Sequence, residues 1–277
     1  MSPSMATVSL GGPLRERLQA IAGAGFQAVE LFDTDLDGFD GTVAELGRLI
    51  DNLGLNLASY FPLRNFEGMP ASQRADALQR AARYLDTAAE LGADMVMLCS
   101  NTAPECLNDQ ARIAADLHEL GQLATDRHLK LAYEALAWGR HVNDYRLAAE
   151  LICAAGHPGL GLVLDSFHIL ARQLAPTAIR DIPGAHIFLV QISDAPMLDL
   201  DYLNWSRQHR VLPGQGEFDL QRFVGDVQQT GFSGTVSLEC FNPAMQAAPP
   251  GPLAKTGFHV LNQLWGRPPA AGGGSYG

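Results

Sequence analysis

The chain is short of positive charge. Its 277 residues carry 19 Lys and Arg against 30 Asp and Glu, a formal net charge of −11. A nucleic-acid groove normally shows as a basic stripe, and none is visible, so DNA and RNA are not expected partners. Long apolar runs are missing too. None reaches the roughly 20 residues needed to span a bilayer, so no membrane association is expected. Cysteine is scarce. Cys99, Cys106, Cys153 and Cys240 have no CxxC spacing and are too few for a disulfide framework in a chain of this size. The opening MSPSMATVSL lacks a charged stretch followed by an apolar one, so it does not read as a secretory signal. A cytoplasmic location is the expectation.

What is present is apolar material in short pieces. Hydrophobic residues make up 47% of the chain, enough for a large core. Candidate strands are Ala6–Leu10, Ala28–Phe32, Asn56–Phe61, Asp94–Cys99, Lys130–Glu134, Gly161–Asp165, Ile187–Gln191 and Thr235–Cys240. Several are rich in Val, Ile and Leu without clean alternation, as buried parallel strands should be. Helical patterns lie between them. Pro13–Ala24, Thr42–Leu53 and Ser72–Leu91 stop at Gly25, Gly54 and Gly92, where C-terminal glycines belong. Others are expected at Gln110–His128, Asn143–Ala155, Leu220–Thr230 and Leu253–Leu264.

This alternation predicts an α/β fold of the (β/α)₈ TIM-barrel class, built from right-handed βαβ units. Such a barrel takes roughly 250 residues, so one catalytic domain over 1–266 accounts for nearly the whole chain. The Pro/Gly-rich stretch 267–277 is expected to be a flexible tail. An open doubly wound sheet is the rival, but SLGGPL is too weak to read as its phosphate loop. The connection Ser193–Asp219 exceeds ordinary loop lengths and is expected to be a functional loop over the barrel mouth.

Reacting groups in such barrels sit at the C-terminal ends of strands. Four consecutive predicted strands end in oxygen donors: Glu134, Asp165, Gln191 and Glu239. Three carboxylates brought together repel unless a cation joins them, and an all-oxygen set suits a hard divalent ion such as Mg²⁺ or Mn²⁺. His168 follows Asp165 by three residues, the spacing that places both on one face if a helix starts there, and is the expected proton carrier. Arg64 and Arg210 are candidates to grip an anionic substrate bidentately. Ser206, Trp138 and Tyr60 are expected pocket walls. Tyr133 should point the other way, into packing. The remaining histidines are read as structural.

The segments AYEALAWGRHVNDY, LDSFHIL, QISDAP and HRVLPGQGEFDL resemble the bacterial 3-dehydroshikimate dehydratases of the xylose-isomerase-like superfamily. ATVSLGG, GFQAVELF and FPLRNFEG look like the same family, and the resemblance runs from about Ala6 to about Trp265. It implies loss of water from 3-dehydroshikimate to give protocatechuate. It also implies one divalent ion (Mg²⁺, Mn²⁺ or Co²⁺) on Glu134, Asp165, Gln191 and Glu239. His168 would be the catalytic base, with Glu134 or Glu239 the fallback, and Arg210 the carboxylate anchor. Where sugar epimerases usually carry histidine, this chain has Gln191. The expected partner is a small carboxylate substrate. A homo-oligomer stays open, as does fusion to a missing C-terminal dioxygenase-like domain. The alternatives are a sugar or hydroxypyruvate isomerase on the same barrel, an abasic-site endonuclease, which the acidic charge opposes, and a non-catalytic sugar-acid binding protein.

Overall fold

A computed structural model describes residues 1–266; the expected tail at 267–277 lies outside the described residues. Eight parallel strands close on themselves in chain order: β1 (Ser2–Ala6), β2 (Ala28–Phe32), β3 (Asn56–Leu63), β4 (Met95–Cys99), β5 (Lys130–Glu134), β6 (Leu160–Asp165), β7 (Ile187–Ile192) and β8 (Thr235–Leu238). Closure is made by β1 against β8, with Ser2 opposite Thr235 and Met5 opposite Leu238. It removes the unpaired edge that an open sheet would expose. The helices are α1 (Leu14–Ala24), α2 (Val43–Asn52), α3 (Ala71–Leu91), α4 (Gln110–Thr125), α5 (Tyr145–Ala155), α6 (Ser166–Ala171), α7 (Tyr202–Gln208), α8 (Leu220–Gln229), α9 (Pro243–Gln246) and α10 (Pro250–Gly266). Among the described residues no helix is long and apolar enough to cross a membrane.

Local chemistry explains the helix ends. Thr42 caps α2 and forms a reciprocal capping box with Glu45, satisfying two backbone donors. Gly25 and Gly92 close α1 and α3 at φ 101° and 76°, left-handed values that cost other residues a steric penalty. Strand parity then separates two cores. Met97, Cys99, Ala132, Val163 and Leu189 fill the barrel interior, whereas Val96, Leu98, Leu131, Leu162 and Val190 pack against the helices.

Two expectations need correction. The first strand is Ser2–Ala6, and Thr7–Ser9 is a 3₁₀ turn, so Ala6–Leu10 is not a strand. Pro3 lacks an N–H, but it sits at a strand start, where Pro is tolerated, and its carbonyl accepts from Gln27. Tyr60 is not a pocket wall. It stacks on Tyr84 of α3, ring centroids 4.4 Å apart, and parity turns its neighbour Phe61 inward.

The connection Ser193–Asp219 is ordered around α7. Asp194 and Val211 exchange backbone hydrogen bonds of 2.9 and 2.8 Å. The Asp194 carboxylate accepts from the N–H groups of Gly214 and Phe218. This segment is thereby pinned directly above the end of β7.

Candidate active site

At the C-terminal rim the ends of β5 to β8 converge. Glu134 is the last residue of β5 and Asp165 the last of β6. Gln191 lies in β7, and Glu239 follows β8 directly. All four are buried. Asp165 also caps α6, its Oδ1 accepting from Phe167 N–H at 2.7 Å. That cap starts the helix that carries His168. His168 Nε2 consequently lies 3.4 Å from Asp165 Oδ2 and 3.7 Å from Glu134 Oε1. Glu134, Asp165 and His168 bring ligand atoms within 4.8 Å of one another.

Arg210 enters from the pinned segment and is 1% exposed. Its Nη1 donates to Asp165 Oδ2 at 2.7 Å and to Glu239 Oε2 at 2.8 Å. Nε and Nη2 both donate to Ser206 Oγ, and the guanidinium lies 4.4 Å above the Phe167 ring. Arg64 stands apart. It pairs with Asp33 at the surface, with 45% of its side chain exposed, and it is not among the residues lining the cavity.

The cavity has an empty volume of about 260 Å³ and is walled by Phe61, Leu136, Trp138 and Phe241 around Glu134, His168, Ser206, Arg210 and Glu239. Two features went unread in the sequence. Arg207 lines the same cavity, 4.1 Å over Phe241, and makes no side-chain hydrogen bond or ion pair among the described residues. Its spacing from Arg210 on WSRQHR was the available signal. Glu30 of β2 is fully buried inside the barrel and takes Gln191 Nε2 at 3.2 Å on both oxygens. A lone charge inside AVELF was the corresponding hint.

The electrostatics are lopsided. Four buried carboxyl groups, Glu30, Glu134, Asp165 and Glu239, gather here, and the only guanidinium among the described residues that pairs with any of them is that of Arg210, which bonds two. Burial, compounded by Asp165 and Glu239, pushes the Glu134 carboxyl well above its ordinary range. Burial likewise raises Asp165, and Glu239 to about 8. Glu30 is raised chiefly by burial, against hydrogen bonds from Ser59 and Gln191. His168 is pushed well below its usual value by burial, then by Arg210 and Arg207. Its Nδ1 accepts from Ala137 N–H at 3.2 Å. Its Nε2 faces Asp165, Glu134 and, at 3.4 Å, the Nη2 of Arg210.

The residues fit a divalent cation. Glu134 Oε1 and Gln191 Oε1 are buried acceptors with no hydrogen-bond donor, an expensive state that a cation relieves. The atoms that come together, from Glu134, Asp165 and His168, combine carboxylate oxygens with one imidazole nitrogen, a mixture that divalent ions accept.

The pattern of the xylose isomerase-like TIM barrel family matches residues 18–264, and the chain belongs to that family. Within it, the chain is 46% identical over 264 residues to the 3-dehydroshikimate dehydratase of Pseudomonas putida, covering 95% of this chain and 42% of that protein. The Pseudomonas aeruginosa 3-dehydroshikimate dehydratase matches at the same 46% identity. The chain thus spans 42% of the length of these relatives. A solved xylose isomerase-like TIM barrel/4-hydroxyphenylpyruvate dioxygenase fusion protein superposes with a TM-score of 0.93 at 45% identity, over 95% of this chain and 42% of that one. The IOLI protein, solved with a binding zinc atom, shares the fold at 21% identity and a TM-score of 0.85, over 96% of this chain and 98% of its own.

Proposed function

We propose that this chain is the catalytic barrel of a cytoplasmic 3-dehydroshikimate dehydratase, removing water from 3-dehydroshikimate to give protocatechuate. The similarity to the two Pseudomonas dehydratases supports the reaction class. The observation that carries the reading is the pair of guanidiniums at one cavity. Arg210 is committed to Asp165 and Glu239, while Arg207 is left without an acid partner. A partly buried guanidinium beside a reaction site, with no acid partner among the described residues, calls for an anion. A substrate carboxylate meets that need, and a neutral sugar does not.

Glu134, Asp165, Gln191 and Glu239 would hold one divalent ion, Mg²⁺, Mn²⁺ or Co²⁺. When bound, such an ion withdraws electron density from a ketone and eases loss of the neighbouring proton. The chain's own groups do the rest. Arg207 takes the substrate carboxylate, with Arg210 and Ser206 closing the same end. Glu134 removes the carbon-bound proton. The C–O bond of the next carbon breaks with its electron pair, and the departing hydroxyl is steadied by the Nε2–H of His168. The proton rejoins that hydroxyl and water leaves, giving a cyclohexadienone. A proton then leaves the remaining ring CH₂ as the ketone oxygen takes one up, and the ring becomes aromatic. Trp138, Phe61 and Phe241 keep bulk water away from the reacting carbons.

The test is incubation with 3-dehydroshikimate and Mg²⁺, Mn²⁺ or Co²⁺ while following protocatechuate absorbance, with and without a chelator. Turnover that a chelator stops and a divalent ion restores is expected. No turnover with any of the three ions overturns the reading. A second reading is a polyol or sugar isomerase. It draws on 33% identity to the inosose isomerase of Bacillus subtilis, confined to 128 residues. Arg207 counts against it.

A further inference from the structure

We propose that Glu30 decides which end of the Gln191 side chain faces the metal site, and is therefore a positioning residue for the ion. The inference rests on the reading that Gln191 is one of its ligands. A primary amide is nearly symmetric in shape and opposite in chemistry at its two ends. Its oxygen can bind a cation; its NH₂ group can only donate. Packing alone cannot choose between them, so a hydrogen-bond partner must.

Glu30 is that partner. β2 and β7 are not neighbours in the barrel, so the contact crosses the interior. Both Glu30 oxygens lie 3.2 Å from Gln191 Nε2. A carboxylate accepts hydrogen bonds and cannot give them, so it attracts Nε2 and repels Oε1. The amide oxygen is left as the end turned from Glu30, and it finds no donor among the described residues. Glu30 is itself fixed independently. Ser59 Oγ donates to its Oε2 at 2.6 Å, in a fully buried contact. The selector keeps its orientation whatever the glutamine does.

A glutamine at position 30 would donate and accept equally well, so either orientation of Gln191 would be satisfied. Half of the selection is then lost without a change in shape. The experiment measures Mn²⁺ binding directly, by titration calorimetry and by the electron paramagnetic resonance of free Mn²⁺, with no substrate present. Glu30→Gln should weaken Mn²⁺ binding by about 10–100-fold, the usual cost of losing an outer partner of a ligand. The charge-conserving exchange Glu30→Gln with Gln191→Glu should recover most of that loss. A carboxylate at position 191 offers oxygen in either orientation and accepts from the new amide. Gln191→Glu alone should bind poorly, because two carboxylates then meet across the barrel.

Unchanged Mn²⁺ affinity in Glu30→Gln overturns the proposal. So does failure of the exchange to recover affinity, since that outcome makes Glu30 a structural prop only. If Glu30→Gln fails to fold, the comparison of Gln191→Glu with the folded exchange variant decides the question by the same criterion. Absence of Mn²⁺ binding by the unaltered protein is a separate result. It overturns the metal-site reading itself, and the role of Glu30 with it.

Discussion

Arg210 donates to Asp165 across 2.7 Å, and both side chains are buried. Two members of the site thus compensate each other's charge inside the barrel. Removing one partner of such a pair typically costs about 3–5 kcal/mol, because the other charge is stranded. Arg210→Ala should therefore lower the melting temperature, and more in chelator than in Mn²⁺, where the ion shares the compensation. It should also abolish measurable turnover. Calorimetric melting under both conditions checks this; equal losses would show that no cation reaches Asp165 and Glu239. Arg210→Lys should be costly too, since a point charge cannot serve Ser206 and two carboxylates at once.

Arg207 offers a cleaner measure of substrate binding, because it makes no ion pair among the described residues. Arg207→Met should leave the melting temperature nearly unchanged. It should raise KM for 3-dehydroshikimate by about 10–150-fold, as loss of a charged hydrogen bond worth about 1.5–3 kcal/mol implies. Protocatechuate should inhibit the variant less, while catechol, which lacks the carboxylate, should bind both proteins alike. A variant that still prefers protocatechuate to catechol assigns the anchor to another residue.

His168 and Glu134 divide the proton work, and their variants should differ in degree. Loss of a general base typically costs about 10²–10⁴-fold. If His168 serves as a donor through Nε2, His168→Asn, which can still donate, should retain more than about a tenth of the rate. Glu134→Gln should be inactive. A loss of about 10²-fold or more in His168→Asn, together with disappearance of one limb of the kcat/KM pH profile, would return the base role to His168.

Glu67 lies away from the reaction site, yet it should be visible in stability. Burial raises its carboxyl to about 7, against hydrogen bonds from Asn101 N–H and the Tyr133 hydroxyl. Its folded pKa exceeds the ordinary 4.5, so the folded state holds a proton that the unfolded chain has released. Stability from this group is full below about 4.3 and is lost as pH climbs towards 7. Glu67→Gln should gain on the unaltered protein as pH rises from about 5 to 8. Scanning calorimetry of both proteins across that range gives the difference, in which shared titrations cancel. A difference independent of pH would contradict the assignment.

Much of this was legible because strand ends leave a chemical signature. Glu134, Asp165 and Gln191 stand at or beside the ends of runs too apolar to hold them without a reason, and Asp165 announces α6 by capping it. Other features depended on which parity faces inward, which closure and register decide rather than composition. Tyr60 and Phe61 are equally plausible walls until β3 is set against β4. Glu30 needed a partner three strands away around the barrel, and no local pattern points there. The depth of Arg210 was hidden for a related reason. Its segment reads as a loop over the barrel mouth, and only the Asp194–Val211 bridge shows how deeply it is drawn in.

Glu134, Asp165 and Gln191 stand on three successive strands and Glu239 directly after the fourth, so the spacing of their backbones follows the interstrand pitch of roughly 4.8 Å rather than the turns at the far rim. Those turns, at Gly25, Gly54 and Gly92, are chemically silent. An engineer could lengthen them, attach a label there or open the chain and rejoin it elsewhere. The reacting end would keep its dimensions, much as a bell keeps its pitch whatever is tied to its handle.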